Sequence, residues 1–303
     1  MKKLRFLIAS PRYNGRFGGV MALHQLCDAL NRQGHTACIA LFGGSAPYFN
    51  WAYSDDPQFY HADLLRSTLV GDDANLAVQE FLTDGFVIYP DLIPDNPLNA
   101  RRVIRYLLYT NHQYQAKYPQ EFVLSFSKSF HNGPDGYLFK TLLDPEFHVE
   151  GSKPWAERTL DITYFGKGPN FTTCDRIPDT LLLTRDWPPD KNQLGHLLRA
   201  CRYFFTWDAV SQTNVDAVAC GAMPVLLNDA QIDHDLLTRS ELGALPFLRL
   251  VDKSDKASLS GDLTIASQHV AQMRRRIQEL ENEWPRRVQA FVDQLMLFYQ
   301  INE

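Results

Sequence analysis

The apolar residues of this 303-residue chain fall into two patterns: short continuous runs that suit buried parallel strands, and longer runs spaced at three and four that suit one face of a helix. The two patterns alternate. Leu4 to Ala9 reads as a first buried strand, Val20, Leu23, Cys27 and Leu30 as a helix closed by Gly34, and Thr36 to Leu41 as a second strand. This is a βαβ unit. Residues 43 to 66 read as loop. Asp73 to Leu82 predicts a helix and Phe86 to Tyr89 a buried strand. Asp91 to Pro97 is a loop at that strand's carboxyl end, and Leu98 to Leu108 predicts a further helix through Val103, Ile104, Leu107 and Leu108.

Between Asp144 and Arg158 the composition turns polar, with Pro145, Gly151 and Pro154, which predicts a domain boundary. A second α/β series follows. Leu160 to Phe165 and Leu181 to Thr184 read as strands, and Leu194, Leu197, Leu198 and Cys201 mark one helix face. Phe204 to Leu227 reads as strand, loop, short helix and strand, with Gly221 suited to the helix C′ position and Pro224 opening the last apolar run. Phe247 to Val251 adds a strand. Leu263 to Trp284 predicts a long helix that Pro285 breaks or kinks. Val288, Phe291, Val292, Leu295 and Phe298 continue an apolar stripe, to be buried on the first domain or against another copy. The expected fold class is α/β with two Rossmann-like domains, residues 1–150 and 151–284, and a terminal helix 285–303.

Composition narrows the function classes. With 45% hydrophobic and 21% charged residues the chain is ordinary globular material, long enough for two cores. A net charge of -5 and a pI near 6.0 argue against nucleic-acid binding through a basic surface. The five cysteines form no C-x-x-C pair, and four sit in apolar contexts, which fits a reducing cytoplasm. The leading Met1-Lys-Lys-Leu-Arg5 precedes an apolar run too short for a secretory signal, and no window approaches membrane-spanning length. Membrane contact would be peripheral, at the inner face. Arg274 to Arg276 and Arg286-Arg287 suit either acidic lipid or a solvated helix face.

The candidate chemistry sits at strand ends. The first turn carries glycines as G-x-x-G-G and no acidic residue ends the second strand, so a dinucleotide cofactor is not expected. Gly18 and Gly19 permit close approach of backbone N–H groups to an anion or sugar, or simply tight packing of helix on sheet. His112 could act in acid/base work or touch a sugar hydroxyl, and His131 likewise, set against the packed or surface roles open to any of nine histidines. Lys167, between glycines, and Arg185 suit phosphate contacts; the spacing is not that of a P-loop, and a plain turn with a solvent lysine is the alternative. Asp208 and Asp216 flank one helix start, where Ser211, Thr213 and Asn214 supply capping chemistry. An open N-terminus suits a phosphate, and a carboxylate one turn in can accept the hydroxyls of a sugar diol. Asp233 and Asp235 form a D-x-D pair, thin as a magnesium site, and neither metal nor cofactor is expected.

Two segments carry a likeness. Asp208 and Asp216 enclose seven residues, and the second precedes Ala-Val-Ala-Cys-Gly221-Ala-Met-Pro-Val, which resembles the E-x7-E segment of GT-B glycosyltransferases. Gly18-Gly19 and the helix end Leu30-Asn-Arg-Gln-Gly34-His35 resemble that family's first βαβ unit. The resemblance covers the first forty residues and roughly 160 to 230. It implies two domains facing a cleft and transfer of a sugar from a nucleotide-diphosphate donor to an acceptor held by the amino-terminal half, without a metal. It also implies retained anomeric configuration, since E-x7-E relatives are mostly retaining. By the same resemblance Asp216 would hold the ribose and Asp208 the transferred sugar. Amides around Ser211 to Asn214, with Lys167 or Arg185, would meet the diphosphate, and Gly18-Gly19 would border the reaction. Both acids are Asp where the family has Glu, which keeps a non-catalytic nucleotide- or glycan-binding relative in view beside a sugar-nucleotide epimerase or hydrolase. The sequence does not choose the sugar, base, acceptor or oligomeric state.

Overall fold

The computed structural model describes residues 2–15, 17–42, 49–50, 72–109, 113–117, 120–166, 176–184, 186–208, 211–227, 241, 248–250, 259 and 263–301. Contacts divide the chain into two units, Met1–Lys140 with Glu283–Glu303, and Thr141–Asn282.

The first unit is built on strands β1 (Arg5–Ser10), β2 (Thr36–Phe42), β3 (Phe49–Asn50), β4 (Phe86–Pro90), β5 (Val103–Leu107), β6 (Glu121–Ser125) and β7 (Gly136–Tyr137), ordered β3-β2-β1-β4-β5-β6-β7. All pairings are parallel except β2 with β3. Helix α1 (Gly18–Arg32) connects β1 to β2, and α2 (Asp72–Thr83) precedes β4. One face of the sheet packs Phe6, Ile8, Ile88, Ile104 and Phe122 against Leu23, Leu26 and Leu30 of α1. The opposite face buries Leu7, Ala9, Val87 and Tyr89 with Phe81 of α2. Strands covered on both faces read as unbroken apolar runs, and that is why their existence was legible.

Leu98–Leu108 is not a helix. Residues 98–102 form a loop, and β5 runs parallel between β4 and β6 with every residue buried. A run apolar on all sides has no period to distinguish helix from strand; the β-branched and aromatic Val103, Ile104 and Tyr106 suit the strand, and tertiary pairing decided it.

The second unit contains β8 (Leu160–Tyr164), β9 (Leu181–Leu183), β10 (Cys201–Thr206), β11 (Met223–Leu227) and β12 (Leu248–Leu250), all parallel and ordered β12-β11-β10-β8-β9. Helices α3 (Lys191–Ala200) and α4 (Gln212–Ala219) connect β9 to β10 and β10 to β11.

The last helix, α5 (Leu263–Phe298), is continuous through Pro285, contrary to the expected break. Proline removes one ladder hydrogen bond, yet Leu280, Trp284 and Val288 are buried on either side of it, and that burial offsets the lost bond. Val288, Phe291, Val292 and Leu295 join the core of the first unit, while Ala266 and Val270 join a core of the second. Two of the five arginines of α5 pair along their own helix, Arg276 with Glu279 at 3.2 Å and Arg287 with Glu283 at 2.8 Å. No helix among the described residues is long and apolar enough to cross a membrane.

Candidate functional site

In open parallel sheets, ligands bind outside the carboxyl ends of the strands where the strand order reverses. In the second unit that point lies between β8 and β10. Residues from both strand ends meet there. Gly166 follows β8 with φ of +65°, and a Cβ on it would lie 2.7 Å from Asp208 Oδ2. Only glycine fits that place. The Asp208 N–H donates to Thr206 Oγ1 at 3.0 Å, which turns the chain out of β10.

Helix α4 then starts at Ser211, whose Oγ accepts from the Thr213 N–H at 3.2 Å. The Asn214 N–H donates to the Ser211 carbonyl at 3.1 Å, which leaves the Gln212 N–H as the uncommitted donor of this turn among the described residues. Asn214 is 3% exposed and its Nδ2 donates to the Asp208 carbonyl at 2.7 Å, clipping the helix start to the end of β10. Its Oδ1 is buried with no hydrogen-bond partner among the described residues. Asn214 thus holds the turn with both its side chain and its backbone amide.

Asp216, one turn further, is 7% exposed, and its hydrogen bond comes from Gln212 Nε2 at 3.0 Å. No cation makes an ion pair with it among the described residues. Lys191, the first residue of α3, is paired with Asp144 at 2.6 Å, and acts on Asp216 only through space. Burial therefore dominates and raises the Asp216 carboxyl to about 7, against the opposing pull of the Gln212 hydrogen bond and the Lys191 charge. A buried carboxylate with one neutral donor among the described residues suits a ligand that brings hydroxyl donors. The start of α3 is capped by Asp190, whose Oδ1 accepts from the Gln193 N–H at 2.8 Å. Gly221, φ +82°, closes α4 as its sequence position predicted.

In the first unit the strand order reverses between β1 and β4. Gly18 and Gly19 open α1 behind Phe17, an N-cap whose side chain makes no capping hydrogen bond. A Cβ on Gly19 would make ordinary contact, 3.5 Å from Leu108 Cδ1, so Gly19 reflects close approach without forbidding a side chain. Buried His24 on α1 holds the preceding loop: its Nε2 donates to the Pro11 carbonyl at 3.1 Å, and burial lowers it to about 4. Asp91 follows β4 and accepts from the Leu108 N–H at 3.4 Å; desolvation raises its carboxyl.

Sequence reading missed the support beneath this edge. Arg105 on β5 and Glu121 on β6 form a buried ion pair at 2.6 Å. Arg105 also donates to the carbonyls of Ile93 and Asp95, and Glu121 accepts from Tyr114 Oη and the Lys117 N–H. Two loops after strand ends, 91–97 and 113–117, are thus tied to the sheet. An Arg-Tyr dipeptide inside an apolar run was the available signal, but a helix assignment put Arg105 on a solvent face. His131, buried beside Tyr114 with ring centroids 6.2 Å apart, belongs to the same neighbourhood.

His112, Lys167 and Arg185 lie outside the described residues, as do Asp233 and Asp235. Cys27, Cys38, Cys201 and Cys220 are buried and unpaired as disulfides. Among the described residues no three His, Cys, Asp or Glu side chains converge as a metal site.

No protein-family description matches the chain, and no curated protein matches it. Solved structures do. A glycosyltransferase from Rickettsia africae ESF-5 is similar over 100% of both chains, with a TM-score of 0.59 at 11% identity. The catalytic domain of starch synthase IV from Arabidopsis thaliana, bound to ADP and acarbose, is similar over 99% of this chain and 100% of that one, with a TM-score of 0.48 at 11% identity. The glycosyltransferase SnogD from Streptomyces nogalater covers 96% of this chain and 100% of its own, with a TM-score of 0.46 at 14% identity. The Rickettsia protein alone among these three aligns closely enough to bear on architecture, and at that identity the likeness is one of fold: this chain has the α/β fold of two Rossmann-like domains seen in that glycosyltransferase.

Proposed function

We propose that this chain is a glycosyltransferase, of hexosyltransferase type, that moves a sugar from a nucleotide-diphosphate sugar to an acceptor in the synthesis of a glycan or cell-surface polysaccharide. The observation that carries this reading is Asp216, a buried carboxylate with one neutral hydrogen bond among the described residues, midway along a helix that leaves a strand beside a topological switch point. Such a group favours the paired hydroxyls of a ribose. Asp208, against Gly166, faces the transferred sugar. Lys167, Arg185 and the amide of Gln212 meet the diphosphate, with Ser211, Thr213 and Asn214 shaping the turn. Gly18 and Gly19 border the acceptor, and His112 serves its hydroxyl.

In this reading the acceptor oxygen forms a bond to the anomeric carbon on the face from which the diphosphate departs, as the bond from that carbon to the diphosphate oxygen breaks; the diphosphate leaves with the electron pair, and the acceptor's hydroxyl proton passes to the departing oxygen. Helix-end dipoles and cations stabilise the departing charge in place of a metal. The E-x7-E likeness points to retention. The work belongs in the cytoplasm, at or near the inner face of the membrane.

A non-catalytic nucleotide-binding relative is the second reading, favoured by the internal use of the Thr213 and Asn214 amides, which leaves few donors for a diphosphate. An epimerase or hydrolase on the same fold would consume donor with no acceptor present. The deciding experiment is calorimetry with UDP, ADP and TDP on the native chain and on Asp216→Ala. Binding that disappears in a folded Asp216→Ala supports the site, and unchanged affinity would remove it. Turnover of the matching nucleotide sugar then separates transferase from the non-catalytic relative.

A further inference from the structure

Arg158 is 4% exposed, and its hydrogen bonds among the described residues go to carbonyl oxygens, with no carboxylate in ion-pair range. Its Nε donates to Lys153 at 3.1 Å. A single nitrogen, Nη1, donates to both Cys201 and Cys220, each at 3.0 Å. These two residues are the C-caps of α3 and α4. A buried cation without an anion is costly, and burial lowers the Arg158 pKa. Here the compensation comes from two helix C-termini, whose unpaired carbonyls carry the negative ends of two helix dipoles.

The neighbouring glycine is shaped by the same contact. A Cβ on Gly221 would fall 2.8 Å from Arg158 Nη2 and 3.1 Å from Val149 Cγ1. Its φ of +82° already favours glycine as a helix terminator, and the guanidinium excludes any side chain from the space.

We propose that Arg158 is the positioning residue of the donor site, joining the C-terminal ends of α3 and α4 so that their N-terminal ends hold a fixed spacing around the nucleotide. The helices have 10 and 8 residues, and at 1.5 Å per residue they are rods of about 15 and 12 Å. Their far ends carry the caps Asp190 and Ser211 and the Lys191–Asp144 pair, and Asp216 lies midway along α4. One nitrogen shared between two carbonyls sets the separation of the rods at one end. Packing between α3 and α4 carries that separation to the other. The connection to a nucleotide rests on the donor-site reading above; the joining of the helices does not.

The test uses the full chain and the variants Arg158→Met and Arg158→Lys, below the melting temperature of each. Amide hydrogen exchange is followed without ligand, and affinity for UDP, ADP and TDP is measured by calorimetry. Arg158→Met is expected to speed exchange about tenfold in the first turns of α3 and α4, far from the substitution. It is expected to weaken the best-bound nucleotide about tenfold by loosening a pre-organised site. Arg158→Lys keeps the charge but not the fork, and is expected to recover part of both effects. Faster exchange confined to the residues around 201 and 220, with nucleotide affinity unchanged, would overturn the proposal. If Arg158→Met does not fold, the same two readouts on Arg158→Lys decide it. A native chain that binds none of the three nucleotides would overturn the donor-site reading, and the exchange measurement would still decide whether Arg158 joins the helices.

Discussion

Gly166 and Asp208 occupy the same small space at the switch point of the second sheet, where a Cβ on the first would sit 2.7 Å from a carboxylate oxygen of the second. Gly166 also has φ of +65°, which costs a side-chain-bearing residue about 1–2 kcal/mol. Gly166→Ala is therefore expected to destabilise the chain by more than that backbone cost alone. Adding Asp208→Ala removes the carboxylate but keeps the Asp208 Cβ, which is also in the way, so it should recover only part of the steric cost and leave the φ cost. Urea denaturation of the two single variants and the double variant measures the coupling.

Asp216 ties stability and ligand binding to pH. Its carboxyl ionises near the ordinary 3.8 when unfolded and at about 7 when folded, so between those values the folded state holds the extra proton. Stability therefore falls as pH rises through this window, by on the order of 4 kcal/mol at its upper end. Asp216→Asn should be more stable than the native chain at pH 8 and no more stable at pH 3.5, as read from denaturation midpoints. Nucleotide binding should run the other way. The ionised carboxylate accepts ribose hydroxyls, so affinity of the native chain for the nucleotide it binds should increase as pH rises through about 7.

His24 acts with the opposite sign. Its folded value of about 4 lies below the usual 6.5, so the unfolded chain takes up a proton first as pH falls. The stability that neutral His24 confers is complete above pH 6.5 and is lost on the way down to about 4, on the order of 3 kcal/mol. In His24→Phe that part of the acid destabilisation should vanish. Comparing urea midpoints of the two chains across pH 4 to 7 isolates it.

The Arg105–Glu121 pair has no exposed alternative for either charge. Arg105→Met strands a buried carboxylate and should cost about 3–5 kcal/mol, whereas Arg105→Met with Glu121→Leu should cost less than the single change. Denaturation shows the difference. Because both loops above the pair depend on it, limited proteolysis of Arg105→Met should cut within 91–97 or 113–117 faster than in the native chain.

How much of this was legible in the chain follows from periodicity and chirality. Buried parallel strands announce themselves as unbroken apolar runs, and α1 and α3 as single apolar faces. Gly221 was readable because a helix terminator in the left-handed region calls for glycine. The α/β order, two domains and the Asp208–Asp216 segment were therefore accessible from local rules. β5 was not, since a run buried on every side has no period, and Pro285 was not, since local propensity says nothing of the packing that carries a helix past a proline.

Tertiary structure alone decided the site's physics. Asp216 reads in sequence as a charged helix residue; its burial, which only packing creates, raises its carboxyl and suits it to hydroxyl donors. Asn214 became a clip on the Asp208 carbonyl, and Arg158, which looked like part of a polar linker, became the joint of two helix ends. Such roles depend on which groups lose water and which partners they meet, and those are set by contacts between residues far apart in the chain. The pattern of apolar and polar positions determined the elements of this protein, and the desolvation that comes with packing them determined which of its charges have work to do.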